Sequence, residues 1–285
     1  MLRVPSAFGH EMTGSVVAIG AGVDCWSPAD RVVVANSASC GACRYCRLQR
    51  ENLCSDLQYL NGAFAEYLLV PDRFARRSTY NRPPGLPVEQ GALAEPLACV
   101  LHGIEACQLF EPADVLILGG GPIGQLLVGA LAALGHRVAI VDANEPRRAV
   151  ARSMGATTIM DREEFQRSSA SFDLSVDATG TLQVWHQALG SVHPGGQVLF
   201  FGGCPPGSRM ELDTGRVHYD EITLRGAYHH RPDTFRRALE FLSERKFPAE
   251  LLLTSRAPLE RTEEALLSMM RRENLKVVLE PQNSS

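Results

Sequence analysis

The chain has 285 residues, of which 45% are hydrophobic and 21% charged, and its formal net charge is -4. This composition is that of a soluble globular protein and excludes a disordered chain or one that binds nucleic acid through basic tracts. The apolar stretches are too short to span a membrane, and the length suggests two domains at roughly 150 residues each. The first residues show no apolar run before a small-residue cleavage site, which predicts a cytoplasmic protein without a signal peptide.

The first quarter of the chain is predicted to be β-structure. Between residues 14 and 70, short β-rich runs alternate with glycine, proline and aspartate, which indicates a small antiparallel barrel or sandwich. The predicted strands cover residues 15–19, 31–34 and 64–70. A cysteine-rich loop interrupts them.

Four cysteines lie close together in that loop: Cys40, Cys43, Cys46 and Cys54, spaced C-x2-C-x2-C-x7-C. Thiolates so near in sequence can surround one zinc ion tetrahedrally with little loop-closure entropy to overcome. The iron–sulfur alternative has a shorter last gap followed by proline, whereas Cys54 precedes serine. Four sulfurs leave no position for a substrate, so the spacing predicts a structural zinc ion.

Three further side chains are candidate ligands. His10 and Glu11 lie just before the first predicted strand, and Glu95 precedes Pro96 at the start of an amphipathic helix. The residue before a proline avoids the helical region, so we expect Glu95 at the helix entrance, where it can point into a cleft. Imidazole and carboxylate are suitable zinc ligands. Taken one at a time, ordinary roles are favoured, because an isolated histidine or acid is rarely a ligand.

A glycine-rich turn follows the apolar run at residues 115–118 and opens a helix rich in leucine and alanine. Its sequence fits G-x-G-x-x-G, in which the glycines allow a tight turn, close approach of a pyrophosphate and close helix packing. The next apolar run ends in Asp142, where a carboxylate binds the adenine ribose and repels a 2′-phosphate. NAD is therefore preferred over NADP, although Arg147 and Arg148 weaken that preference. The predicted cofactor-binding residues are Gly119, Gly121, Pro122, Ile123, Gly124, Asp142, Arg147, Thr179 and Gly180.

Strands and helices alternate through the rest of this region. Strands are predicted at residues 138–141, 174–177, 197–201 and 222–224, and helices at residues 181–189 and 233–244. This order predicts an α/β fold with a doubly wound parallel sheet, which the strand at 222–224 followed by the helix at 233–244 completes. The pair His229-His230 is interpreted as a surface or interface feature rather than as ligands.

The motifs together resemble the zinc-dependent medium-chain dehydrogenases. The resemblance rests on Gly9-His10-Glu11, the four-cysteine loop, residues 62–67 (GAFAEY), Glu95-Pro96-Leu97 and the glycine fingerprint, in this order. It covers nearly the whole chain and is nearest to the polyol (sorbitol) and threonine dehydrogenase branch, because Glu95 stands where classical alcohol dehydrogenases have cysteine.

The resemblance implies a GroES-like β-barrel catalytic domain over residues 1–97, a Rossmann NAD-binding domain over 98–247 and a segment, 248–285, that returns to the first. It implies that His10, Glu11 and Glu95 bind a catalytic zinc ion. The expected activity is hydride transfer between a secondary alcohol or polyol and NAD, in a cleft between the domains, by a homodimer or homotetramer.

One departure bears on this expectation. The family carries strands before Gly-His-Glu that hold a zinc-ligating cysteine and a hydroxyl residue of the proton relay, and this chain begins after them. We therefore expect an incomplete barrel and little activity. The alternative hypothesis is a non-catalytic NAD-binding pseudoenzyme or sensor, and a zinc-free quinone reductase is weaker because that branch lacks the four-cysteine loop.

Overall fold

The structure is a computed structural model that describes residues 7–110 and 112–281. The strands in these residues are β1 Met12–Ser15, β2 Arg31–Val34, β3 Ser37–Ala38, β4 Gln58–Tyr59, β5 Thr79–Asn81, β6 Asp114–Leu118, β7 Arg137–Val141, β8 Thr158–Met160, β9 Phe172–Asp177, β10 Val192–Phe200, β11 Thr223–Gly226, β12 Leu253–Pro258 and β13 Lys276–Glu280.

The α-helices are α1 Arg44–Arg47, α2 Asp72–Arg77, α3 Val88–Gly91, α4 Ala94–Ala106, α5 Pro122–Ala133, α6 Glu145–Met154, α7 Arg162–Arg167, α8 Leu182–Gly190, α9 Thr214–Tyr219, α10 Pro232–Ser243 and α11 Thr262–Met270. Single 3-10 turns occur at Glu51–Leu53, Ala249–Leu252 and Leu259–Arg261. Over residues 7–110 and 112–281, no helix combines the length and the apolar character that crossing a bilayer requires.

The chain divides into two compact units. Unit 1 is formed by residues 1–98, 230–245 and 250–285, so far as the structure describes them, and unit 2 by residues 99–229 and 246–249. In unit 2, six parallel strands lie in the order β11-β10-β9-β6-β7-β8. This is the doubly wound order, and its topological switch point lies between β6 and β9. The predicted α/β fold with a parallel sheet is confirmed.

Strands β6 and β7 are nearly continuous apolar runs, as expected where helices cover both faces of a parallel sheet. Val115, Leu116 and Ile117 of β6 are fully buried. Strand β6 pairs with β7 and β9 in register, so Leu118 is level with Val141 and Asp177. The carboxyl ends of the three strands therefore meet at one edge of the sheet, beside the switch point.

Unit 1 contains smaller sheets. Strands β1, β2 and β5 form an antiparallel sheet, β3 pairs with β4, and β12 pairs in parallel with β13. The β2 side chains Val32 and Val34 pack with Ala38, Leu60 and Phe74 into the buried cluster of this sheet. Strand β1 pairs with β2, and its first residue, Met12, packs on this cluster directly after His10 and Glu11.

Two predicted elements of unit 1 differ from the structure. The strand predicted at residues 64–70 is wrong, because no strand is present there; the backbone N–H of Phe64 instead donates to the Phe8 carbonyl oxygen at 3.2 Å. Its alternating pattern is explained by packing of Leu68 and Val70 on the core cluster while Leu69 stays exposed. The first strand, predicted at residues 15–19, lies earlier, at Met12–Ser15.

Helix α10 also differs from expectation, since it groups with unit 1 rather than with the parallel sheet. Its Phe235 is fully buried and stacks on Tyr80 of β5 with ring centroids 4.8 Å apart. Helical periodicity in a sequence shows that one face is buried but does not show what covers it. On this helix, Phe235 is covered by Tyr80 of β5.

Candidate functional site

The glycine turn joins β6 to α5 with the backbone conformation that the motif predicts. Gly119 has a φ of 107°, and a Cβ there would lie 2.7 Å from Cγ2 of Thr179. A Cβ on Gly124 would lie 1.8 Å from the Gly119 carbonyl oxygen, so only glycine lets the helix start so close to the turn. Pro122 lies in the first helical turn of α5, so the N-terminal end of this helix directly follows the glycine-rich turn. Such a helix N-terminus attracts phosphate.

Asp142 lies at the carboxyl end of β7 and is tied to the same turn. Its carboxylate accepts the Gly120 N–H through Oδ2 and the Asn144 N–H through Oδ1, both at 2.7 Å. Arg147, in the first turn of α6, brings Nη1 to 3.9 Å from the position of a Cβ on Gly121. The structure thus brings Asp142 and Arg147 together with the glycine turn, as the sequence predicts.

Thr179 and Gly180 follow β9 at the same edge of the sheet and are held by Asp177. This carboxylate is fully buried and accepts from the Thr179 N–H at 2.9 Å, the Thr179 hydroxyl at 2.6 Å and the Gly180 N–H at 3.0 Å. The Trp185 indole N–H, on α8, also donates to it at 3.0 Å. Asp177 and Trp185 were not among the predicted site residues, and the signal for Asp177 is its position at the end of a buried strand.

The four cysteines form a compact group. The Sγ–Sγ distances are 3.5 Å for Cys43 and Cys46, and 3.9 Å for Cys40 and Cys46 and for Cys43 and Cys54. Four sulfurs at the usual zinc–sulfur distance, placed tetrahedrally, lie about 3.8 Å apart. The donor set and the spacing therefore fit a zinc ion.

Backbone N–H groups point at these sulfurs. Those of Ala42 and Cys43 lie 3.4 Å and 3.3 Å from Cys40 Sγ, and hydrogen bonds from them lower the pKa of the Cys40 thiol. Backbone hydrogen bonds likewise lower the pKa of Cys43 to about 5. Burial raises the pKa of Cys46 to about 12. The backbone amides therefore favour thiolate anions at Cys40 and Cys43, and a bound cation would compensate their negative charge.

His10, Glu11 and Glu95 also meet. One ligand atom from each lies within 4.8 Å of the others, although His10 and Glu11 precede β1 and Glu95 lies in the first turn of α4. Gly9, directly before His10, has a φ of 84°, and a Cβ there would lie only 2.5 Å from the Phe64 ring, so this position requires glycine. Glu95 is buried at 6% exposure, Glu11 is half-buried and His10 is exposed. One imidazole and two carboxylates suit zinc.

Lys276, on β13, forms an ion pair with Glu11 and was missed by the sequence analysis. Its side chain is 12% exposed and that of Glu11 is 28% exposed, so water screens this pair less than a surface pair. The ammonium group offsets one of the two carboxylate charges in the cluster. No local signal relates residues 265 positions apart.

His230 was interpreted as a surface or interface residue, and this is wrong because it is 5% exposed. Its Nε2 lies 3.0 Å from Oδ1 of Asn36, and its ring packs edge-to-face on Phe235 with centroids 5.3 Å apart. A ring nitrogen of His230 lies within 4.8 Å of a Glu95 carboxylate oxygen. The burial follows from the position of α10 in unit 1, which the sequence pattern did not reveal.

Comparison with known proteins gives two family models. The alcohol dehydrogenase GroES-like domain matches residues 1–78, and the zinc-binding dehydrogenase model matches residues 122–244. D-altritol 5-dehydrogenase of Agrobacterium fabrum is 36% identical over 77% of this chain and 67% of the relative. Sorbitol dehydrogenase of Bacillus subtilis is 30% identical over 99% of this chain and 82% of the relative.

A solved structure has a similar fold. The zinc-binding dehydrogenase of Sinorhizobium meliloti 1021, bound to NADP, superposes with a TM-score of 0.89 at 27% identity, covering 98% of this chain and 84% of that one. These findings confirm the resemblance inferred from the motifs.

Proposed function

The chain belongs to the zinc-dependent medium-chain dehydrogenase family, and from this premise we propose that it oxidises a secondary alcohol or polyol with NAD as the hydride acceptor. The observation that carries the proposal is the meeting of His10, Glu11 and Glu95 within 4.8 Å of one another. The relatives named above act on altritol and sorbitol, so we take a polyol as the first substrate class.

The proposed metal ligands are His10, Glu11 and Glu95 for the catalytic zinc ion and Cys40, Cys43, Cys46 and Cys54 for the structural one. When bound, the catalytic zinc ion would supply Lewis-acid polarisation of the alcohol oxygen, and the nicotinamide would accept the hydride. The chain holds Glu95 in a buried first helical turn, where low water access strengthens its attraction for a cation. Lys276 orients the Glu11 carboxylate by pairing with it.

The proposed cofactor residues act by shape and charge. Gly119, Gly121 and Gly124, with Pro122 and Ile123, form the phosphate turn. Asp142 accepts hydrogen bonds from the adenine ribose, and the Arg147 guanidinium lies beside Gly121, near the dinucleotide phosphates. Thr179 and Gly180 lie beyond β9, next to Gly119. We propose NAD rather than NADP, because the 2′-phosphate of NADP would meet the Asp142 carboxylate.

Two further expectations complete the proposal. We propose that the protein acts as a homodimer or homotetramer, as the family resemblance implies. We also propose a cytoplasmic location, because eight cysteines, four of them clustered, suit a reducing compartment. No finding supports the alternative of a non-catalytic sensor.

The test is NADH formation by the purified protein on polyols, simple secondary alcohols and threonine, with zinc content measured in parallel. Glu95→Gln should lower kcat/KM by about 10- to 100-fold, since the amide is a poor zinc ligand. The matched control is Glu250→Gln, which changes an exposed acid of the same unit and should leave turnover unchanged. NAD binding with no detectable turnover on any alcohol, rather than the low turnover expected here, would favour the sensor instead.

A further inference from the structure

Gln125 is a buried polar residue at the start of α5, just after the glycine fingerprint. Its side chain is fully buried, and Nε2 donates to two main-chain carbonyl oxygens, that of Gly120 at 3.0 Å and that of Arg147 at 2.8 Å. One amide group therefore joins the turn after β6 to the first turn of α6. Reversing the amide would place its oxygen against both carbonyl oxygens, so these two acceptors fix its orientation.

Packing alone does not account for this residue. Within residues 7–110 and 112–281, the Gln125 Oε1 atom is buried and has no hydrogen-bond partner. Its neighbours Leu126 and Leu127 are fully buried apolar side chains. A leucine at this position would fill a similar volume without burying an unsatisfied oxygen, which is normally unfavourable. The presence of glutamine instead of leucine therefore indicates that the two Nε2 hydrogen bonds have a function.

The first bond controls a peptide plane. A trans peptide holds its C=O and N–H in opposite directions, so the Gly120 carbonyl and the Gly121 N–H point to opposite sides. Because Gln125 holds the Gly120 carbonyl on the interior side, the Gly121 N–H is directed away from the interior. The preceding peptide is fixed as well, since its N–H, on Gly120, donates to Asp142. The turn is therefore held from both sides.

The second bond places a cation beside the same turn. By accepting from Gln125, the Arg147 carbonyl holds the start of α6 against α5, while the Arg147 N–H donates to the Asn144 side chain at 3.0 Å. The Arg147 guanidinium lies 3.9 Å from the position of a Cβ on Gly121. A phosphate at the Gly121 N–H would thus lie close to a positive charge.

We infer that Gln125 is a positioning residue for dinucleotide phosphates, because its amide directs the Gly121 N–H and places Arg147 beside it. The inference rests on the proposed function, since it assumes that unit 2 binds a dinucleotide. Gln125 itself touches no phosphate; it acts through the turn and through α6.

The test compares ligands with and without phosphates. Binding of ADP-ribose by calorimetry and of adenosine by ligand-detected NMR is measured for the unmodified protein, Gln125→Leu and Gln125→Met. Each variant should weaken ADP-ribose binding about 10-fold, the effect of roughly one hydrogen bond, and should change adenosine affinity less than about 2-fold. The control Ser175→Ala removes another fully buried polar group of unit 2 and should leave both affinities unchanged.

Unchanged ADP-ribose affinity in both Gln125 variants would overturn the inference while leaving the dinucleotide site intact. Equal losses for adenosine and ADP-ribose would also overturn it, since they indicate general loosening of unit 2. If the unmodified protein binds neither ligand, the proposed function itself fails, and the inference fails with it. A selective loss for ADP-ribose in either folded variant supports it.

Discussion

Replacing Cys43 by serine tests the cysteine group most directly. Cys43 Sγ lies 3.5 Å from that of Cys46 and 3.9 Å from that of Cys54, close to the separation of about 3.8 Å expected around a tetrahedral zinc ion. Structural zinc contributes on the order of 10 to 16 kcal/mol to folding, so one of four ligands accounts for roughly 3 kcal/mol. A domain of this size loses about 2 to 4 °C per kcal/mol, and we expect a decrease in Tm of about 6 to 12 °C.

The assay combines zinc per chain, measured by mass spectrometry of the metal, with scanning calorimetry. Cys25→Ser is the matched control, because Cys25 is an exposed thiol outside the group. Cys43→Ser should lose most of its structural zinc and unfold earlier, whereas the control should match the unmodified protein. If Cys43→Ser keeps its zinc content and its Tm equals that of the control, the four cysteines do not form a structural metal site.

Two other predictions concern unit 2. Asp142→Asn keeps an acceptor for the Gly120 N–H but removes the negative charge. In titrations, the affinity for NADP should therefore rise about 10-fold relative to that for NAD. Equal affinities for the two cofactors in the unmodified protein would contradict the role proposed for Asp142. The pKa of His193 is raised because its ring forms hydrogen bonds with the Pro194 carbonyl and with Asp173. The protonated ring therefore stabilises the fold fully below the ordinary histidine pKa of about 6.5. This contribution is lost as the pH rises through the raised pKa of the folded state. Both side chains are about two-fifths exposed, so His193→Gln should lower the free energy of unfolding by less than about 1 kcal/mol in urea near pH 5.5 and should leave it unchanged near pH 9. An equal decrease at both pH values would contradict the pairing.

Local patterns predicted the parallel sheet and its ligand edge. The apolar run of β6, the glycines after it and Asp142 after β7 lie within one βαβ unit, where turn chemistry and strand order constrain each other closely. The same locality explains the cysteine group, since all four sulfurs come from a stretch of fifteen residues. Strand β8 and helices α6 and α7 were not predicted. For α6 the local signals were present, since Asn144 caps its start and Gly155 ends it in the left-handed conformation.

Residue types and their spacing indicate the chemistry available to the chain: four clustered cysteines, a glycine-rich turn, and one imidazole with two carboxylates. The distant residues that support these groups follow from the tertiary fold. Lys276 reaches Glu11 because β13 belongs to unit 1, and His230 is buried beside Phe235 of α10, which stacks on Tyr80 of β5. Periodicity records that a face is buried, whereas its partner depends on long-range packing that residue spacing does not encode.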